Sequence, residues 1–237
     1  TGNGIGGDLF AIIWIEKDKK LYGLNASGRS PKNLTLDYFK ENNISEIPAY
    51  GPLPVSVPGC VDGWFELHDR FGKITMQEVL NPAIELAERG FFLSYFEANR
   101  LNVYKKFFER NKAASKIFIR NDGKPWEKGQ KFIQKDLAKT LKKIARYGRD
   151  GFYSGTVAQL IVQEMKRGNG LITKEDLHNY ESKYRPPILG TYKGYEIVSM
   201  GPPSSGGALL VNMLNMLEYY PICLLYTSPS PRDALTS

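Results

Sequence analysis

The segment Leu24-Asn25-Ala26-Ser27-Gly28-Arg29-Ser30-Pro31 sets an arginine just past an apolar β-type run. A guanidinium at a strand end can grip a carboxylate through two parallel hydrogen bonds. Arg29 could equally be a surface cation, and on these residues alone both readings stand. A second candidate is Ser204-Ser205-Gly206-Gly207, which opens a helical pattern. Backbone N–H groups at a helix start can hold an anion, but a serine there can also simply cap the helix, and capping is the preferred reading. Cys60 and His68 could be drawn as a nucleophile–base pair. Proximity in sequence does not bring them into contact, and Pro58-Gly59-Cys60-Val61-Asp62-Gly63 is small enough to suit packing. His68 and His178 are the only histidines. No Cys/His cluster has metal-ligand spacing, and no G-x-S-x-G marks an activated serine. Gly2-Asn3-Gly4-Ile5-Gly6-Gly7 contains a G-x-G-x-x-G match, yet a strand follows it where a dinucleotide fingerprint needs a helix. It reads as a tight glycine turn that Asp8 could bond.

The elements that must position these residues follow from periodicity and turn chemistry. Leu9 to Ile15 and Leu21 to Leu24 are apolar β-type runs around the polar turn Lys17-Asp18-Lys19-Lys20, so they predict a hairpin. Ile44 to Gly59 carries Pro48, Pro52, Pro54 and Pro58 and reads as an extended crossing segment. Thr75 and Glu78 form a capping-box pattern, and Pro82 fits the first turn of a second helical piece ended by Arg89 and Gly90. Leu137, Leu141 and Ile144 mark an amphipathic helix closed by Gly148. Leu160, Ile161 and Met165 mark another, closed by Gly168, and Thr173-Lys174-Glu175-Asp176 starts a short one. Pro187 to Met200 reads as a second hairpin, followed by a helix from about Ser205 to Glu218. Strands, then helices, then strands argue for an α+β fold rather than alternating βαβ units.

The 237 residues carry a formal charge of +7, with 42% hydrophobic and 24% charged residues, a globular composition. Much of the excess charge lies between Arg100 and Arg149, including Lys105, Lys106, Lys112, Lys116, Lys142 and Lys143. These lysines interleave with apolar positions at helical spacing and read as a solvated surface, not a nucleic-acid face. No apolar run approaches the roughly 20 residues of a membrane-spanning helix. From Cys223 to Asp233 the residues match a transposase sequencing adapter read as codons, so residues 223–237 are expected to be a non-native tail. Setting them aside leaves only Cys60, which gives no disulfide framework. Thr1 is not Met and leads at once into the glycine loop, so residues 1–222 are expected to be an internal piece of a longer gene product.

Several distinctive blocks now occur in order: Gly4-Ile5-Gly6-Gly7-Asp8-Leu9-Phe10; Ser56-Val57-Pro58-Gly59-Cys60-Val61-Asp62-Gly63; Asn81-Pro82-Ala83-Ile84-Glu85-Leu86-Ala87-Glu88-Arg89-Gly90-Phe91; Gly151 to Ala158; Gly170 to Leu177; and Pro202-Pro203-Ser204-Ser205-Gly206-Gly207. Together they resemble the large subunit of the γ-glutamyltransferase (glutathione hydrolase) family from Gly2 to about Tyr220. The resemblance implies part of an N-terminal nucleophile hydrolase, an αββα four-layer sandwich. Its precursor cleaves itself, and the new N-terminal Thr of the small subunit attacks a γ-glutamyl amide. That nucleophile lies downstream of this chain, so no catalytic residue is assigned here and the chain alone is expected to be inactive and poorly folded.

The resemblance also implies a large-subunit arginine that holds the substrate α-carboxylate, in a pattern like L-D-x-R-E-x-x-P. Aligned on Leu24 and Pro31, that position is Ser27, the following Glu position is Gly28, and Arg29 stands two residues on. Two residues along an extended strand keep the same face, so Ser27 and Arg29 are the candidate substrate-binding residues. The Ser-Gly-Arg-Ser-Pro form resembles a divergent branch of such proteins. The implied partners are a γ-glutamyl substrate such as glutathione and the small subunit of the same precursor, with no cofactor, metal or nucleic acid. A related amide acylase of different acyl specificity and a non-enzymatic basic binding protein are the alternative readings.

Overall fold

The computed structural model describes residues 4–222, so the adapter-like stretch from Cys223 and the residues Thr1 to Asn3 lie outside the described residues. The chain divides into two compact units, one running up to Leu67 and resuming at Asn179, the other spanning His68–His178. The first unit opens with strands β1 (Leu9–Ile15) and β2 (Lys20–Ala26) and helix α1 (Leu36–Glu41), and helix α2 (Cys60–Phe71) begins in it and ends past the boundary at Leu67. There follow α3 (Met76–Arg89), β3 (Phe91–Phe92), α4 (Tyr95–Val103), α5 (Lys105–Phe108), α6 (Lys112–Phe118) and β4 (Lys131–Phe132). Next come α7 (Lys135–Tyr147), α8 (Asp150–Tyr153), α9 (Gly155–Arg167) and α10 (Lys174–His178). The chain then returns to the first unit as β5 (Lys183–Tyr184), β6 (Ile188–Tyr192), β7 (Tyr195–Ser199) and α11 (Ser205–Glu218). The fold is α+β, as the order of strand and helix patterns predicts.

In the first unit β1 and β2 pair antiparallel from Leu9 opposite Ala26 to Ile15 opposite Lys20, the expected hairpin. β5 adds to the far side of β2, giving the order β1-β2-β5. Leu24 and Ala26 are wholly buried, as is Val61 of α2. Along β1 the odd residues are half-buried while Phe10, Ile12 and Trp14 are exposed. The second hairpin pairs Ile188 with Ser199 through Tyr192 with Tyr195, and α11 packs on both of its strands. Ser204 stands at the N-cap of α11, but its side chain makes no capping bond, so capping by Ser204 is not borne out. The proline-rich crossing before α2 forms no helix; its one ladder contact is the bridge between Val57 and Arg29.

In the second unit α3 and α7 pack together. The buried faces are Leu80, Ile84 and Ala87 on α3 and Ala138, Leu141 and Ile144 on α7. The Thr75–Glu78 capping box forms with both reciprocal bonds, and Gly90 ends α3 at φ 81°. Pro82 lies inside a single helix and does not start a second one. Seven residues into the capped helix, its ring removes one backbone donor from the ladder. α9 is closed by Gly168 as expected, but its buried residues are Val157, Ala158 and Val162, and Leu160 is 59% exposed. The apolar residues of α9 cover more than one face, so periodicity alone picked the wrong stripe. A smaller core gathers Leu93, Ala98 and Phe132 with Phe91, Leu101, Phe118 and Trp126. The indole N–H of Trp126 donates to the Phe118 carbonyl at 2.8 Å. Lys106, Lys112, Lys116 and Lys142 are exposed, as a solvated surface requires.

Candidate functional site

β2 ends at Ala26, and four contacts fix the turn that follows. The Asn25 side-chain oxygen accepts the Ser27 N–H at 3.0 Å, a local turn that asparagine forms readily. The Ser27 carbonyl accepts the Tyr180 hydroxyl at 2.7 Å. The Gly28 N–H donates to Asp8 Oδ1 at 2.6 Å, so Asp8 serves this loop rather than the glycine turn beside it. That turn closes on itself, with Gly7 N–H bonded to the Gly4 carbonyl. The Arg29 carbonyl accepts the Val57 N–H at 2.8 Å. Gly28 is required by space: a Cβ there would stand 2.0 Å from Ser56 Oγ and 2.9 Å from the Val57 carbonyl.

The guanidinium of Arg29 reaches back across the loop. Its Nη2 donates to the Glu181 carbonyl at 2.8 Å, and its Cζ lies 5.7 Å from the centre of the Tyr180 ring. One of five donors is thereby used on the protein, and the residue remains exposed. Tyr180 is 3% exposed. Burial pushes its phenol up to about 12, with the Arg29 charge opposing and Asp62 and Asp8 adding to the rise. Asp62, buried in the first turn of α2, accepts the Ser182 N–H at 2.7 Å and so fixes the segment between Glu181 and β5.

These residues line a cleft of about 400 Å³ bounded by Asn25, Ser27, Gly28 and Arg29 on one side and by Tyr180, Glu181, Lys183 and Arg185 on the other, closed by Pro202 and Pro203. Both candidate residues, Ser27 and Arg29, face this one cavity, and it is the β2 terminus, not a continued strand, that brings them there. Sequence reasoning missed Tyr180, Lys183 and Arg185. Tyr180 and Ser27 are 153 positions apart, and no local pattern links them. The Pro202-Pro203 stop, already singled out, could have pointed to the same place.

The Cys60–His68 pair does not form a dyad. Eight residues along α2 amount to a rise of about 12 Å, and His68 Nε2 meets the Ile74 carbonyl at 2.6 Å. Cys60 is buried at the start of α2, where its N–H donates to the Gly7 carbonyl at 2.9 Å. Burial, and then the charge of Asp8, raise its thiol above the ordinary value, so it is not a ready nucleophile. Among the described residues no three His, Cys, Asp or Glu side chains gather in a way that could hold a metal ion.

The cleft thus joins the β2 terminus to the Pro202-Pro203 stop that leads into α11. The family model described as Gamma-glutamyltranspeptidase matches residues 1–234. The chain belongs to the gamma-glutamyltranspeptidase family. It is 38% identical over 225 residues to the glutathione hydrolase proenzyme of Pseudomonas sp. (strain A14), covering 94% of this chain and 39% of that protein. It is 40% identical over 172 residues to the Acylase ACY 1 proenzyme of Pseudomonas sp. (strain SE83), covering 73% of this chain and 31% of that one. The crystal structure of Helicobacter pylori gamma-glutamyltranspeptidase superposes with a TM-score of 0.88 at 37% identity, over 97% of this chain and 66% of that chain. The chain thus spans about two fifths of the curated gamma-glutamyltranspeptidase relatives it matches.

Proposed function

We propose that this chain is the large-subunit portion of a self-cleaving precursor that hydrolyses or transfers γ-glutamyl amides, glutathione first among them. The observation that carries the reading is the anchored Arg29, presented at the edge of a cleft large enough for an amino-acid side chain, in a chain of this family. Arg29 would hold the substrate carboxylate in place of an arginine at the Ser27 position. The nucleophile would be the N-terminal Thr of the small subunit, its own amine acting as base.

The apolar surface supports a partner subunit. Among the described residues β1 is an edge strand with Phe10, Ile12 and Trp14 exposed, the last 51% exposed, and α11 exposes Leu209, Leu210, Met213, Met216 and Leu217. An open edge and an uncovered apolar face are what a second strand-bearing segment would cover. On the same grounds, the chain without that segment would be inactive and poorly folded. A cooperative thermal transition from a soluble monomer of residues 1–222 would contradict that.

The test is to express the full-length gene product, look for two fragments after self-cleavage, and compare γ-glutamyl with glutaryl anilides. Turnover of the γ-glutamyl anilide that falls at least tenfold in kcat/KM in Arg29→Ala supports the proposal. A self-cleaved protein that leaves it intact and hydrolyses the glutaryl anilide supports the second reading, an amide acylase of different acyl specificity. The Ser27/Arg29 departure and the similarity to an acylase proenzyme favour that alternative. Nothing beyond net charge favours a basic binding protein.

A further inference from the structure

We propose that the Arg29 cleft is built for donors with two carboxylates, one held by Arg29 and the second by Lys183 and Arg185. This rests on reading the cleft as the acyl-donor site. β5 runs antiparallel to β2 with Lys183 opposite Asn25 and Tyr184 opposite Leu24, and the Arg185 N–H extends the pairing to the Gly23 carbonyl at 2.8 Å. Alternation along a strand then sends Lys183 and Arg185 to one side and Tyr184 to the other. The Tyr184 hydroxyl donates to the Glu66 carbonyl on α2, while Lys183 and Arg185 both line the cleft.

The cleft wall therefore carries three cations against one carboxylate, that of Glu181. Among the described residues neither Lys183 nor Arg185 has an ion pair, whereas Lys19, Lys40, Lys139, Lys142, Arg120 and Arg167 do. Two like charges two residues apart on a strand stand about 6.6 Å from each other along the backbone. Their mutual repulsion is relieved by an anion between them, and a concave wall concentrates that field. A donor with one carboxylate satisfies Arg29 alone and leaves the pair facing each other.

Glutathione and its glycine carboxamide differ only in the second negative charge, so they isolate the effect. In the full-length protein, titration calorimetry should show glutathione binding about tenfold tighter than the carboxamide. In Lys183→Gln/Arg185→Gln that ratio should fall to about one, and in Lys183→Arg it should stay near ten. A ratio near one in the unaltered protein, or a ratio of ten surviving in the double variant, would overturn the proposal. With the heat of any hydrolysis measured separately and subtracted, the titration reads binding, and the outcome holds whether or not γ-glutamyl turnover is found. Loss of turnover with the tenfold ratio intact would fault the assigned reaction and leave the two-carboxylate site standing.

Discussion

Replacing Tyr180 with Phe removes one oxygen atom from the centre of the site. The ring remains beneath Arg29, and the packing against Gly59, where a Cβ would come 2.1 Å from the hydroxyl, is loosened rather than strained. What is lost is the 2.7 Å bond to the Ser27 carbonyl. A buried hydrogen bond of this kind contributes roughly 1 kcal/mol net, and a half-buried acceptor left short of a donor adds to the cost, so a loss of about 1–2 kcal/mol is expected. Urea denaturation of the full-length protein should show it as a lower midpoint at unchanged slope. The functional effect goes through position. Ser27, Gly28 and Arg29 are consecutive, and freeing the Ser27 carbonyl loosens the guanidinium that the Glu181 carbonyl holds. KM for the γ-glutamyl anilide should rise roughly three- to tenfold with kcat nearly constant, the signature of lost substrate positioning. The raised phenol adds a pH test. The folded state holds this proton more tightly than the unfolded chain, with the native value about 12. The stability it contributes is complete below about pH 10 and is lost as pH climbs through about 12, and the Tyr180→Phe variant lacks that alkaline slope. A variant that loses stability but keeps its KM would reduce Tyr180 to a packing residue and refute its link to Arg29.

Gly28→Ala drives a Cβ against Ser56 and should destabilise by about 1–3 kcal/mol; adding Ser56→Gly should recover at least half, read as the coupling term of a double-mutant cycle. Cys60, buried and with its thiol raised by burial and then by Asp8, should resist alkylation at mildly alkaline pH until urea unfolds the first unit, as peptide mass mapping would reveal; rapid modification in the native protein would contradict the burial. Glu78 is held below the usual carboxylate range by its bonds to the Thr75 side chain and then backbone, so the cap supports α3 above the ordinary value and fades as pH falls; Thr75→Ala should raise the Glu78 titration midpoint seen by NMR.

Features with local causes were legible in the sequence. The Thr75–Glu78 box, the Gly90 and Gly148 stops and both hairpins depend on neighbours within a few residues, and the chain states them outright. α2 was not legible, and the reason is tertiary. Its opening residues Cys60, Val61, Asp62 and Gly63, and Gly59 before them, look like a loop because they are small. They are small because Ala26, Leu9 and Tyr180 press against Gly59 and Gly63. A Cβ at Gly59 would meet the Ala26 carbonyl at 2.2 Å, so the same residues that disguise the helix let it lie against the end of β2.

That close approach bears on the proposed role of Arg29, which follows the same β2 terminus. With Gly28 flat against Ser56 and Val57, the loop has no room for a side chain at position 28. The bridge between Arg29 and Val57 then takes up the slack as one short ladder contact. At Ser27 it is the carbonyl, not the hydroxyl, that the Tyr180 contact uses. Arginine at position 27 should not take over the proposed carboxylate-holding role of Arg29: Ser27→Arg adds a fourth cation to a wall that already holds three, and kcat/KM for the γ-glutamyl anilide should fall. A rise in kcat/KM on that substitution would mean that Ser27 still occupies the carboxylate-holding position and that Arg29 serves only the surface.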